Sequence, residues 1–268
     1  MKKISLDEVK NIQLNILKKF DDFCDKNNLR YYLAGGTLLG AIRHKGYIPW
    51  DDDIDVCMPR KDYEFLVNNF ISNDKNLTIK SFLLNNLDIP FAKIVDISTK
   101  IDSKFDESEV NKHLWIDIFP VDGLPEDIYK VKEIYSRCNF YRTLLLLQDA
   151  KLGEGTTCFR KYAKYLLKPL AKFYGRKRCV EKLEKIAKSN PYETSKYVGA
   201  VTWGLYGAGE RMLKSEFEKS VELEFEGYKF PAFSCWDSYL RGLYGNYMEL
   251  PPIEKRKTHN MTVYLKED

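Results

Sequence analysis

From Leu6 onward the chain places Leu6, Val9, Ile12, Ile16, Phe20 and Phe23 near helical spacing, with charged and amide residues between them. That period predicts an amphipathic helix over 5–26, with Ser5 as its cap and Glu8 at the third helical position. A short apolar run predicts a strand at 31–34, and 37–43 reads as a helix. The segment from Pro49 predicts a strand that closes at Pro59, followed by a short helix over 61–70. Three more strand candidates, 77–82, 91–98 and 114–119, are rich in β-branched or aromatic residues and bounded by turn signals. Downstream, 127–148 and 159–188 read as helices and 197–203 and 221–225 as strands. A last helix over 236–244 is stopped by Gly245 before Pro251 and Pro252. No repeat or low-complexity linker interrupts the pattern. It predicts an α/β protein with a catalytic core over 1–125 and a mainly helical region over 126–268 packed on that core.

Composition agrees with a soluble globular protein: 44% hydrophobic and 31% charged residues over 268 positions, enough chain to bury a real core. No apolar run approaches the roughly 18 residues of a membrane span. Met1-Lys2-Lys3 resembles the opening of a signal peptide, but Asp7, Glu8 and Lys10 interrupt the apolar stretch that has to follow, so a cytoplasmic protein is expected. The six cysteines form no C-x-x-C pair and have only three histidines to help them, which argues against a zinc site or a disulfide framework. Cys57 reads as a small buried hydrophobe. The net charge of +4 is unevenly spread, because Arg160, Lys161, Lys164, Lys168, Lys172, Arg176, Lys177, Arg178, Lys182, Lys185 and Lys188 face only Glu181 and Glu184. Phe159, Tyr162, Leu166, Leu170 and Phe173 recur at helical spacing between them. Such a helix either packs on the core with a solvated cationic face or lies on an anionic membrane surface, here the inner face of the cell membrane.

Candidate chemistry concentrates between residues 35 and 55. Gly35-Gly36-Thr37 lies between the predicted strand at 31–34 and the helix at 37–43, where the backbone can approach a phosphate and the first helical amides point at an anion. Asp53 and Asp55 occupy alternate positions of the next apolar stretch, which puts both carboxylates on one face. Two carboxylates so placed repel unless a cation joins them, and hard oxygen ligands suit magnesium completed by substrate phosphate oxygens. A third acid, Asp117, lies in the apolar run Trp115-Ile116-Asp117-Ile118-Phe119, where burial without a partner is costly. The residues point to metal-assisted chemistry on a phosphate.

A glycine pair, an Asp-x-Asp strand and a later strand acid resemble the nucleotidyltransferase superfamily. More narrowly, the stretch from Leu38 to Asp55, the run from Trp115 to Pro125 and the ending Tyr244-Gly245-Asn246-Tyr247 with Pro251 and Pro252 resemble the LicD family of bacterial phosphocholine transferases, related to the fukutin group of animals. The resemblance implies a nucleotidyltransferase-like mixed sheet flanked by helices. It also implies transfer of a phospho-alcohol, typically phosphocholine from CDP-choline, to a hydroxyl of a cell-surface glycan such as teichoic acid or lipopolysaccharide, free or lipid-linked, with release of CMP. CDP-ribitol and CDP-glycerol are alternative donors. Carried over by position, Asp53 and Asp55 hold Mg2+ or Mn2+, and Asp117 completes the set as ligand or general base, with Asp55 as the other candidate base. Asn246 stands where many relatives carry Asp.

Other residues keep two readings each. Arg43 and His44 either contact donor phosphates or oppose a helix dipole at its C-terminal end. Lys93 is a phosphate ligand or a surface partner of Asp96. Trp50 is core or a stacking surface for a base or a quaternary ammonium. Arg256 and His259 follow two prolines in what reads as an exposed tail, and only the resemblance promotes them as ligands. A metal-dependent sugar-nucleotide glycosyltransferase is the runner-up activity, and a non-catalytic glycan- or nucleotide-binding protein is the third. A nucleic-acid partner is not expected, because the region around the acids is itself acidic.

Overall fold

The computed structural model describes residues 1–103, 109–150, 152, 158–256 and 261–266. In chain order the elements are β1 (Lys2–Lys3), α1 (Leu6–Lys26), β2 (Tyr32–Leu33), α2 (Gly35–His44), β3 (Asp55–Pro59), α3 (Arg60–Asn69), β4 (Leu77–Lys80), β5 (Ala92–Asp96), β6 (Thr99–Ser103) and β7 (Leu114–Leu124). There follow α4 (Ile128–Asp149), α5 (Cys158–Tyr174), α6 (Arg176–Ala187), β8 (Tyr197–Gly199), β9 (Met212–Leu213), α7 (Lys214–Phe217), β10 (Ser220–Phe225), β11 (Tyr228–Phe233), α8 (Trp236–Tyr244) and β12 (Met261–Leu265). Mixed sheets flanked by helices make this an α/β fold.

The central sheet runs β2-β3-β7-β5-β4. Its one parallel pair is β3 with β7, and that pair carries the acids. β7 is long because its two ends serve different partners: its first half pairs with β3 and β5, and Asp122–Leu124 turns to β8. α1 begins with a reciprocal cap, Glu8 N donating to Ser5 Oγ at 3.2 Å and Ser5 N to Glu8 Oε2 at 2.7 Å. Its buried stripe includes Gln13, whose Nε2 donates to the carbonyl of Asp52 at 2.9 Å and so ties the helix to the acidic loop.

The C-terminal half is welded to this sheet by aromatics. Phe217 and Phe233 pack edge-on against Tyr32 at 5.0 and 5.9 Å, and Phe233 meets Tyr239 of α8 at 5.0 Å. Each ring buried to this depth contributes about 2 kcal/mol, so one core runs from α1 to α8. A second apolar cluster joins α4 to α6.

Several elements differ from the sequence expectation. The strand after Pro49 begins only at Asp55, so Asp53 sits on the loop before it. The glycine pair forms the first turn of α2 instead of preceding it. The basic stretch is two helices, broken at Gly175. The region beyond 126 also contributes β8 to β12. β11, absent from the expectation, contains Pro231, which a strand tolerates here because β10 and β11 form a two-stranded hairpin with open edges. The hairpin turns on Glu226 and Gly227, both at positive φ, the backbone of a type I′ turn. The expected tail returns as β12 between β1 and β6, with Val263 buried.

Candidate active site

Three charged side chains stand in a row across the sheet. Asp55 of β3 is in register with Asp117 of β7, and Asp117 is in register with Lys93 of β5. Residues opposite one another on adjacent strands share a face, so the row runs carboxylate, carboxylate, ammonium. Lys93 Nζ lies 2.7 Å from Asp117 Oδ1. It approaches as a charge contact, without the alignment of a hydrogen bond. Trp115, two residues earlier on the same face, donates its indole N–H to Asp117 Oδ2 at 3.0 Å. Its ring lies 3.9 Å below the Lys93 ammonium, and Phe91 lies 5.5 Å away. Lys93 is 3% exposed, and burial pulls its ammonium below the usual lysine range while Asp117 draws it back up. The reading of Lys93 as a surface partner of Asp96 does not survive: Lys93 is buried against Asp117, and Asp96 accepts from Ser98.

Asp55 carries the electrostatic load of the row. Burial, then the carboxylates of Asp53, Asp117 and Asp51, push its carboxyl well above the usual range, with Lys93 opposing them. The diglycine makes room for this crowding. A Cβ on Gly35 would sit 2.7 Å from Asp55 Oδ2, and one on Gly36 would sit 2.6 Å from Asp51 Oδ2. Gly35 also has φ +50°, which favours glycine. The first turn of α2 therefore faces carboxylates, which its positive dipole end favours. Thr37 braces the strand start, its buried Oγ1 accepting from the backbone N–H of Asp55 at 2.8 Å.

A cavity of about 550 Å³ opens over this row. Gly35, Asp53, Asp55, Lys93 and Asp117 line it; Gly36, Thr37, Arg43, His44, Trp50 and Arg256 do not. The last four form a separate cluster. Arg43 donates to the carbonyls of Tyr247 and Glu249 at 2.7 and 3.3 Å and to His44 Nε2 at 3.0 Å, so it braces the loop after α8. His44 meets the edge of Trp50, and the Arg256 guanidinium lies 4.5 Å over the Trp50 ring. Burial and the Arg43 charge hold His44 below the usual imidazole range. His259 lies outside the described residues.

Sequence reasoning missed the opposite wall. Phe91 packs with Phe119 and Trp203 at 4.9 and 5.2 Å, and Tyr206 meets Tyr244 edge-on at 5.2 Å. Glu210 also lines the cavity, only 5% exposed, and its Oε1 accepts from Tyr206 N at 2.8 Å. Burial pushes this carboxyl up to about 7, opposed by backbone N–H groups and by the Arg142 charge. Phe119 lies in β7 and Tyr244 in α8, but Trp203, Tyr206 and Glu210 come from a loop and a 3-10 turn, which have no periodicity to read.

The donor set suits a hard divalent cation in part. Asp53 and Asp55 offer carboxylate oxygens in a pocket where Asp55 is crowded by like charge, the situation a cation relieves. Among the described residues no three His, Cys, Asp or Glu side chains converge as a finished metal cage. Asp117 is engaged with Lys93 and Trp115. A bound ion would therefore take its remaining ligands from substrate oxygens and water.

The model of the LicD/FKTN/FKRP nucleotidyltransferase domain matches residues 28–146, the stretch that carries the whole charged row. The lipopolysaccharide cholinephosphotransferase LicD of Haemophilus influenzae is 33% identical over 270 residues, covering 97% of this chain and 98% of that protein. The chain belongs to the LicD family. A second LicD-related likeness is local: human ribitol 5-phosphate transferase FKRP is 61% identical over 28 residues, 10% of this chain and 6% of that protein. An uncharacterized protein of Rickettsia prowazekii is 29% identical over 122 residues, 45% of this chain and 42% of its own length. Membership makes this chain a transferase of the LicD type, and no helix among the described residues is long and apolar enough to cross a membrane.

Proposed function

We propose that the chain transfers a phospho-alcohol, in the first place phosphocholine from CDP-choline, to a hydroxyl of a cell-surface glycan such as lipopolysaccharide or teichoic acid. The bond between the phosphocholine phosphorus and the oxygen bridging to CMP breaks, a phosphorus–oxygen bond to the acceptor forms, the hydroxyl proton leaves, and CMP departs. The observation that carries the reading is the in-register row of Asp55, Asp117 and Lys93 on the cavity floor beside Gly35.

Asp53 and Asp55 are the residues that would hold Mg2+ or Mn2+, which when bound neutralises pyrophosphate oxygens. Transfer of this kind asks for positioning and charge neutralisation more than covalent work. Lys93, buried beside Asp117, adds a fixed positive charge at the same floor. Asp117 is the group placed to take the acceptor proton. It lies on the cavity floor beside Asp55, and a loose transition state needs only a weak base. The far wall supports a cationic alcohol: Glu210, buried beside Tyr206, ionises only near neutral pH, and a quaternary ammonium at the Tyr206–Tyr244 aromatic pair would favour its carboxylate form. Ribitol and glycerol carry no charge for Glu210 to meet.

CMP release measured with CDP-choline, CDP-ribitol, CDP-glycerol and UDP-sugars, each with glycan acceptor and with or without Mg2+, tests the proposal. CDP-choline with Mg2+ is the expected productive pair, and Asp55→Asn should lower its rate by about 10²-fold or more. Turnover of UDP-sugars alone, or an unimpaired Asp55→Asn variant, overturns it.

A further inference from the structure

α5 carries its apolar stripe on the wrong side for a core helix. Tyr162, Leu166, Leu170 and Phe173 recur at intervals of four, four and three, one face of a helix. They are 73%, 72%, 61% and 87% exposed. The side turned to the protein holds Ala171, which is buried, and Lys168, whose Nζ donates to the carbonyl of Ala150 at 2.8 Å. A surface helix of a globular protein ordinarily turns such a stripe inward. Among its described side chains this one is inverted: Ala171, Lys168 and, at its end, Tyr174 against Tyr141 face the protein, while Tyr162, Leu166, Leu170 and Phe173 face out.

The charge around the stripe is cationic. Lys172 on α5 and Lys177, Arg178, Lys182 and Lys185 on α6 are exposed. Of the two acids nearby, Glu184 is engaged with Arg60 at 3.0 Å, leaving Glu181 on the surface. A symmetric contact with a second copy of this chain would set these cations against one another. An apolar stripe flanked by lysines and arginines instead matches a bilayer bearing anionic headgroups.

The stripe adjoins the cavity. Leu146, Asp149 and Ala150 at the end of α4 and Arg176 at the start of α6 form part of its wall, and α5 is the segment between them. Arg176 and Asp149 are joined at 2.6 Å, and Lys168 holds α5 to Ala150. A surface that receives α5 therefore lies next to the cavity wall.

We infer that α5 is an interfacial anchor, laying Tyr162, Leu166, Leu170 and Phe173 into the headgroup–acyl boundary of an anionic membrane while the α5–α6 cations meet lipid phosphates. The anchoring does not depend on the transfer reading. Its use, bringing the cavity wall to a glycan borne on lipid, rests on that reading.

The test is sedimentation of the full chain with vesicles, either of phosphatidylcholine alone or of phosphatidylcholine with phosphatidylglycerol in equal parts, at low and high salt. The expected result is binding to the anionic vesicles that falls with salt and is reduced about tenfold or more in Leu166→Ser/Leu170→Ser/Phe173→Ser. These positions are exposed, so circular dichroism and CMP release with a soluble acceptor should match the parent chain. Absence of binding to anionic vesicles, or equal binding by the triple variant, overturns the anchor even if CMP release is normal. So does a dimer by light scattering that the triple variant abolishes, since a second copy then covers the stripe. Failure of CMP release with vesicle binding intact would instead count against the transfer reading alone.

Discussion

Lys93→Met isolates the charged row. In the parent chain the ammonium lies 2.7 Å from Asp117 Oδ1, with side chains 3% and 12% exposed. Two unit charges at that separation attract by roughly 6 kcal/mol at an effective dielectric of about 20. Much of that offsets the desolvation of two buried ions, so the measurable quantity is the cost of leaving one of them alone, about 3–5 kcal/mol. Methionine keeps the apolar stem against Trp115 and removes only the charge, leaving Asp117 beside Asp55 with no ammonium between the row and the apolar wall. Urea unfolding at neutral pH should show a loss of that size, and the melting temperature should fall by roughly 10 °C. Asp117→Asn strands the ammonium instead and should cost a similar amount. The double variant should lose far less than the sum, a coupling of about 2 kcal/mol or more. Additive single losses, or a Lys93→Met cost below about 1 kcal/mol, would refute the claim that this pair holds the row together.

Three further outcomes follow from neighbouring groups. Asp55→Asn should abolish transfer yet raise the melting temperature, because an amide removes a buried charge crowded by Asp53, Asp117 and Asp51; a less stable variant counts against that crowding. Glu210 has a folded pKa of about 7 against 4.5 for the free side chain, so the folded state holds a proton that the unfolded state has released between those values. Stability should therefore fall as pH rises through that window, by about 3 kcal/mol in all, and Glu210→Gln should flatten the fall while weakening CDP-choline binding about tenfold. Unfolding curves at several pH values and a KM comparison between choline and glycerol donors check both parts. Gly35→Ala places a Cβ 2.7 Å from Asp55 Oδ2 at φ +50°, and should cost about 1–3 kcal/mol in urea unfolding as well as activity.

The carboxylates and the glycine pair were legible because they obey local rules. An acid in the middle of an apolar run has to find a partner, and Asp117 does so across adjacent strands, in Lys93. The partner of Asp117 was not legible. Lys93 and Asp96 share a strand, and sequence proximity pairs them, but the register of β5 against β7 sends Lys93 to Asp117. Register is a property of two strands and cannot be read from one. The same limit hid β12, whose partners are β1 at the other end of the chain and β6 in its middle, and the Arg43 bridge to the loop after α8. Nor was the task of the Thr37 hydroxyl legible: it accepts from Asp55 N–H, a contact fixed by where α2 meets β3.

The cavity draws its two functions from different parts of the chain, and that division has a consequence for specificity. The residues matched by the family's nucleotidyltransferase domain, 28–146, include Gly35, Asp53, Asp55, Lys93 and Asp117. Of the facing wall, Phe91 and Phe119 lie within that stretch, whereas Trp203, Tyr206, Glu210, Tyr239 and Tyr244 all lie beyond it. Phosphoryl transfer needs the same charge arrangement whatever alcohol the phosphorus carries, whereas choline, ribitol and glycerol differ in charge and hydrogen bonding and so require different walls. One charged floor can then serve several donors if the wall changes independently of it. Exchanging Glu210 and Tyr206 for uncharged hydrogen-bonding residues should shift donor preference away from choline with the floor intact, and equal losses for every donor would place specificity elsewhere.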